Sequence, residues 1–329
     1  MAELVLGMAV SHSPALNLNV DEYGEYGEKD KTDERLADKE GRVATYDQLL
    51  AQADPAIVPQ LTREVLGERI ADCEKNMEHL ARTLGEARLD ALIIVGDDQG
   101  EQYIMDNMPA MLIYWGETIP NTVTDQPAGT PPFLLKARAQ YHEPSGVRDY
   151  PVQSHLALHL IESLTANEFD VSNAKSLRFE RGEGHAFGFV HRRLMGEQII
   201  PIVPFALNTY FPPNQPLPKR CYGLGQALRR AVEAWDSDAR VGILGSGGLS
   251  HFLVDEELDR GVLAALRDKD REKLISLPLN KLNFGNSEIR NWITVAAAAE
   301  DMENHWQAYQ PCYRTPGGTG CGMGFAVWY

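Results

Sequence analysis

The stretch 91-ALIIVGDDQGEQY-103 decides how this chain is read. Its apolar half is short and branched, is bounded by Gly96, and runs straight into Asp97, Asp98, Gln99 and Glu101. Such a run predicts a buried strand whose C-terminal end opens into a polar loop. Strand ends of that kind carry active sites in α/β proteins. An acidic turn on a solvated edge is the bland reading of the same residues. What the four polar side chains face is therefore the question for the rest of the chain.

Working outward, further strands are expected over 4–10, 111–115, 199–207, 241–244 and 325–329. Between them, Leu61, Val65, Leu66, Ile70, Cys73, Met77, Leu80 and Leu84 recur at helical spacing and predict one amphipathic helix over 60–87. Pro151 fits the first turn of a second helix covering 155–164, and 224–234 supplies a third. Strands alternating with helices imply an α/β chain, a single αβα layered domain over 1–329 with a central sheet flanked by helices. The segment 21–54 is charged and poor in apolar residues, and reads as a surface excursion anchored by Tyr23, Tyr26 and Tyr46, with a linker, a lid or a subunit contact as its possible uses. The proline-rich 210–220 reads as a rigid surface loop.

A length of 329 residues with 43% hydrophobic composition is enough to bury a sizeable core. The net charge of -16 argues against nucleic acid and anionic membranes as partners, because the field repels polyanions. Cys73, Cys221, Cys312 and Cys321 show no C-x-x-C spacing, so they read as reduced thiols in a cytoplasmic protein. The N-terminal apolar run stops at Ser11 without a basic region before it, which reads as a first strand and not an export signal. No membrane span is expected.

The glycine-rich stretches fail as nucleotide sites. The run 245-GSGGLSHF-252 lacks the G-K-[ST] ending, and 317-GGTGCGMG-324 does not open a βαβ unit. The histidines say more. His12 follows the first strand, where Pro14 fixes a bend, and His251 stands in the parallel situation after 241–244. His185 is flanked by glycines. His155 and His159 have metal-compatible i, i+4 spacing but lack the Glu of H-E-x-x-H, and read as structural. Glu288 lies at a predicted helix start, with Asn286 or Ser287 available to cap it.

Taken in order, "GMAVSHSP", "GDDQGEQY", "YWGETIPN", "NTYFPPNQP", "GSGGLSHF" and "GNSEIRNWI" resemble the class III extradiol ring-cleaving dioxygenases, of the type of the protocatechuate 4,5-dioxygenase catalytic subunit and its gallate relatives. The resemblance implies an Fe(II) site at strand ends, a small aromatic substrate with O2, and a homo-oligomer such as a dimer. His12 and Glu288 match the family's iron ligands, His185 its pocket histidine toward substrate and oxygen, and His251 its acid–base histidine. Where the family commonly has an Asp-His pair, this chain has Asp98-Gln99. Gln99 can offer an amide oxygen to iron. Alternatively Glu101, two residues on, is the ligand. In a third reading no metal binds and Gln99 meets the substrate.

Asn208 and Tyr210, on the 208–216 loop, are expected substrate contacts, and Arg290 or Arg314 can pair with a substrate carboxylate or serve as structural cations. The competing class is a metal-independent hydrolase or lyase acting on an aromatic or diketo acid through the histidines. A non-catalytic binding protein is the third. Four polar groups are costly to bury together without a use, which disfavours it.

Overall fold

The computed structural model describes residues 1–34, 36–123 and 128–329; Arg35, inside the expected excursion, lies outside them. In chain order the strands are β1 (Glu3–Val10), β2 (Ala91–Gly96), β3 (Met111–Tyr114), β4 (Thr118–Thr122), β5 (Val147–Pro151) and β6 (Ser172–Ala174). After these come β7 (Ile202–Leu207), β8 (Arg240–Ser246), β9 (His251–Leu253), β10 (Asn304–Tyr313) and β11 (Thr319–Trp328). The main sheet runs β10-β11-β1-β8-β2-β7-β3-β6, with β9 on β11, and β4 and β5 form a separate ribbon. β1, β8, β2 and β7 are parallel neighbours. Their C-terminal ends therefore open along one edge of the sheet, where α/β proteins bind ligands.

Alternation along β2 divides the core. Leu92 and Ile94 face one layer, while Ile93 and Val95 face the other. On the first face the helix Arg63–Glu86, whose N-cap Thr62 accepts from the Val65 N–H, buries Leu66, Cys73, Met77, Leu80 and Leu84. The helices Ser154–Ala166, Pro218–Ala234 and Ile289–Ala298 cover the second face with Leu160, Leu228 and Trp292 among others. Burying each such leucine stabilises the fold by roughly 1.5–3 kcal/mol. This is the α/β arrangement expected, a sheet between helical layers.

Several boundaries differ from expectation. Pro151 closes β5 instead of opening a helix, which starts at Ser154. Pro218 does enter a first helical turn, so the helix expected from 224 begins at Pro218 and takes the end of the proline-rich loop. β7 starts at Ile202. β11 starts at Thr319 and pairs with β10, a strand the hydrophobic pattern does not suggest. Its glycines conceal it: a Cβ on Gly322 or Gly324 would run into Asp259 or Leu249, so this strand is glycine-rich because neighbours press against it.

The segment expected as an excursion carries two capped helices, Val20–Asp30 and Tyr46–Gln52. Tyr23 is buried, and the buried Asp30 accepts from Arg314 Nε at 2.8 Å and from Thr319 Oγ1 at 2.7 Å. All four cysteines are free and buried. No described helix is long and apolar enough to cross a membrane.

Candidate active site

His12 lies two residues beyond β1, Asp97 directly follows β2, Tyr210 follows β7, and the turn after β8 leads to His251. Glu288 enters at the start of the helix Ile289–Ala298, and His185 begins the short helix His185–Phe189. His12, Gln99, His185, Tyr210, His251 and Glu288 line one cavity of about 380 Å³, a size suited to a small organic ligand.

The His12 ring is fixed through its Nδ1, 3.0 Å from Ser246 Oγ. Ser246 donates its own proton to the Ala186 carbonyl at 2.8 Å, so Nδ1–H of His12 is the donor and Nε2 is left with its lone pair toward the cavity. Burial pushes this imidazole down to about 3, outweighing the pull of Glu288, so it is neutral. Its Nε2 sits 3.5 Å from Glu288 Oε2.

Glu288 is fully buried and well partnered. Gly248 N–H donates to Oε2 and the Tyr210 hydroxyl to Oε1 at 2.9 Å, while His251 Nε2 stands 3.3 Å from Oε1. Burial opposes its charge, but His251 and the hydrogen bond from the Gly248 N–H hold the carboxyl well below the usual range. Gly247 has φ 122°, and a Cβ there would come within 2.6 Å of Glu288 Oε2. Only glycine lets the turn close over the carboxylate. Neither Asn286 nor Ser287 caps the helix: Asn286 Oδ1 accepts instead from the His251 N–H at 2.9 Å. His251 Nδ1 lies 3.0 Å from the Leu249 carbonyl, which directs Nε2 into the site.

The 97–103 turn divides its acids. Asp98 accepts the backbone N–H of Gly100, Glu101, Gln102 and Tyr103, and so holds the turn. Glu101 receives the His185 N–H on both oxygens at 3.1 Å and sits 2.7 Å from its Nδ1. Both of its oxygens are thus engaged by His185. Burial alone would lower His185, but Glu101 outweighs it and raises the imidazole to about 10. Gln99 turns its Nε2 toward Asp97 Oδ2, His185 Nε2 and Glu288 Oε1 at 3.3–3.4 Å. An amide between two carboxylates serves them as a donor.

Asp97 is a site residue to which the sequence assigns no role of its own. It is 1% exposed, its Oδ1 has no hydrogen-bond partner among the described residues, and burial followed by the charge of Glu288 pushes it up to about 8. Ligand atoms of His12, Asp97 and His185 lie within 4.8 Å of one another. An unpartnered carboxylate oxygen beside a neutral imidazole lone pair is a donor set that fits a divalent cation. The only sequence signal for Asp97 is its place directly after a buried strand.

Other expected contacts lie elsewhere. Asn208 binds within its own loop, to Phe211 and Asn214, and does not line the cavity. Arg290 is spent on the carbonyls of Pro216, Leu282 and Ser287. Arg314 borders the cavity but is paired with Asp30. His159 Nε2 is bonded to the Ala231 carbonyl, away from the site. Tyr141, which the sequence does not single out, donates to the His12 carbonyl at 2.6 Å and stacks edge-on to His185.

Residues 58–324 match the family described as the catalytic LigB subunit of aromatic ring-opening dioxygenase. The chain is 39% identical over 105 residues to a gallate dioxygenase of Pseudomonas putida, covering 31% of this chain and 30% of that protein. It is also 31% identical over 179 residues to a 2,3-dihydroxyphenylpropionate/2,3-dihydroxicinnamic acid 1,2-dioxygenase of Cupriavidus necator, covering 51% of this chain and 50% of the relative. The alignments thus span half or less of each relative's length.

Proposed function

We infer that this chain, which belongs to the family of catalytic LigB subunits of aromatic ring-opening dioxygenases, cleaves a catechol- or gallate-like aromatic acid with O2 beside the diol, using iron(II). The observation that carries the reading is the convergence of neutral His12 Nε2, the Glu288 carboxylate and His251 Nε2 at the ends of parallel strands. His12 and Glu288 would hold the iron. Bound there, it supplies Lewis acidity toward adjacent hydroxyls and the electrons that activate O2.

The remaining work belongs to the chain's own groups. The free Glu288 carboxylate keeps the His251 imidazole protonated; with that carboxylate engaged as a ligand, His251, aimed by the Leu249 carbonyl, would take the hydroxyl proton of the diol at Nε2 and later return it. The Tyr210 hydroxyl, 3.3 Å from that nitrogen and donating to Glu288, keeps the two in register and meets the substrate. The metal-independent hydrolase or lyase reading is not favoured, because it leaves the buried Asp97 Oδ1 without a task. A cytoplasmic homodimer is part of the same proposal, and light scattering of the purified protein checks the assembly.

Reconstitution with iron(II) under anaerobic conditions, followed by oxygen uptake with a panel of catechol and gallate acids, tests the reaction. Uptake with at least one diol acid, absent without iron, is expected. No uptake with any of them, together with turnover in the absence of oxygen, would overturn it.

A further inference from the structure

The family resemblance leaves the cation one imidazole short, since position 99 holds an amide. We propose that Asp97 and His185 make up the difference: the divalent cation is held by His12, Glu288, Asp97 and His185, and Gln99 is a positioning residue outside the ligand set. The proposal rests on the reading that a metal sits at this site, and it goes beyond that reading in saying which residues complete it. It also moves His185 from the substrate side, where the resemblance puts it, onto the metal.

Three observations carry it. Asp97 Oδ1 is buried with no hydrogen-bond partner among the described residues, and it points at His12 Nε2, 4.0 Å away. The other oxygen, Oδ2, is 3.7 Å from His185 Nε2, and the two imidazole rings meet at 4.6 Å between centroids. Donors about 2.1 Å from one ion lie roughly 3 Å apart when adjacent and 4.2 Å when opposite. The observed spacings need only a modest contraction. Second, His185 is built as ligating histidines are: its Nδ1 faces the Glu101 carboxylate at 2.7 Å, so Nε2 is the nitrogen left for the cavity. The two imidazoles and one carboxylate that suit iron(II) are contained in this set, and Asp97 adds a second carboxylate.

Third, Gln99 already has a task. Its Nε2 lies among Asp97 Oδ2, His185 Nε2 and Glu288 Oε1, and the group that suits two carboxylates is NH2. Turned that way, the amide holds Asp97 by one oxygen and leaves the other for the cation. A histidine at 99 would compete for the position that His185 takes here.

The test uses Co(II) and iron(II), added anaerobically to the full chain and to Asp97→Asn, His185→Gln and Gln99→Leu variants. Metal affinity is read by titration, and ligating imidazoles by the exchangeable, hyperfine-shifted ring N–H signals of the Co(II) protein. Two such signals are expected in the native protein, from His12 and His185, with one lost in His185→Gln. Asp97→Asn should bind at least about 100-fold more weakly, and Gln99→Leu within about 3-fold of native. If Asp97→Asn does not fold, His185→Gln decides alone. A single imidazole signal, with binding lost in Gln99→Leu and kept in the other two, would overturn the proposal and leave metal dependence standing. No binding of either metal by the native protein would instead remove the metal-dependent reading itself.

Discussion

Two turns flank the site, and each is organised by an aspartate. In the 97–103 turn, Asp98 gathers four consecutive backbone N–H groups. In the turn after β8, Asp259 does comparable work from a distance, accepting the Ser250 N–H at 2.9 Å, the Ser250 hydroxyl at 2.6 Å and the Tyr309 hydroxyl at 2.7 Å. The first device is local and the second is tertiary. The contrast extends to the functional groups: Glu288, over which the second turn closes, is saturated with partners, whereas Asp97 in the first keeps one oxygen unpartnered among the described residues. A turn pinned by its own side chain can present an unsatisfied group; a turn pinned by Glu288 and Asp259 presents a satisfied one.

The comparison breaks most visibly at Glu288. Glu288→Ala leaves the Gly248 N–H, the Tyr210 hydroxyl and two imidazoles facing a buried gap, and removing one partner of such a cluster costs on the order of 3–5 kcal/mol. Metal binding and ring cleavage should both be lost, as metal analysis and oxygen uptake would record. His251→Ala should lower kcat by about 10²–10⁴-fold while metal content stays native, because His251 handles protons and is not a ligand. Full activity in that variant would end its assigned role.

Asp259 gives a smaller effect that depends on pH. Burial, against the donated hydrogen bonds of Ser250 and Tyr309, pushes its carboxyl up to about 7 from the ordinary aspartate value of 3.8. A folded-state value above the unfolded one means that the contribution is fully present below pH 3.8 and is lost as pH rises through 7. Over that window the loss is on the order of 4 kcal/mol or less. Thermal melts of the native protein should therefore fall between about pH 4 and 7 relative to Asp259→Asn, whose side chain does not ionise; parallel melting curves would contradict it. Asp98→Ala should destabilise by about 1–3 kcal/mol, from N–H groups left without their acceptor, with Asp98→Asn milder.

The smallest effects separate the two turns through their glycines. Gly100 has φ 84°, and a methyl group placed there would meet nothing closer than the Phe211 ring at 3.9 Å, so Gly100→Ala should cost only about 1–2 kcal/mol of backbone strain. Gly247→Ala adds a collision with Glu288, and its oxygen uptake should fall further than its melting temperature suggests.

Much of this is legible in the sequence, for identifiable reasons. The buried run 91–95 and the period of 3.6 in Leu66 to Leu84 mark the layers, because burial on the two faces is strong and regular. His12 and His251 are legible because each follows a strand. The 319–324 part of β11 is hidden, since glycines read as turn where they in fact admit neighbours. Arg314 stays ambiguous because its partner, Asp30, lies 284 residues away in a segment whose charges read as solvated. Asp97 and Asp98 look alike on paper. Only the backbone's path decides that one collects N–H groups and the other sits against the His12 and His185 rings.

The most direct test of the central claim follows the oxygen atoms. Iron(II)-loaded protein is given its best diol acid under ¹⁸O2, and the product mass is read. The account predicts one O2 consumed per ring opened and both labelled atoms in the product. An unlabelled product formed equally well without oxygen would contradict it.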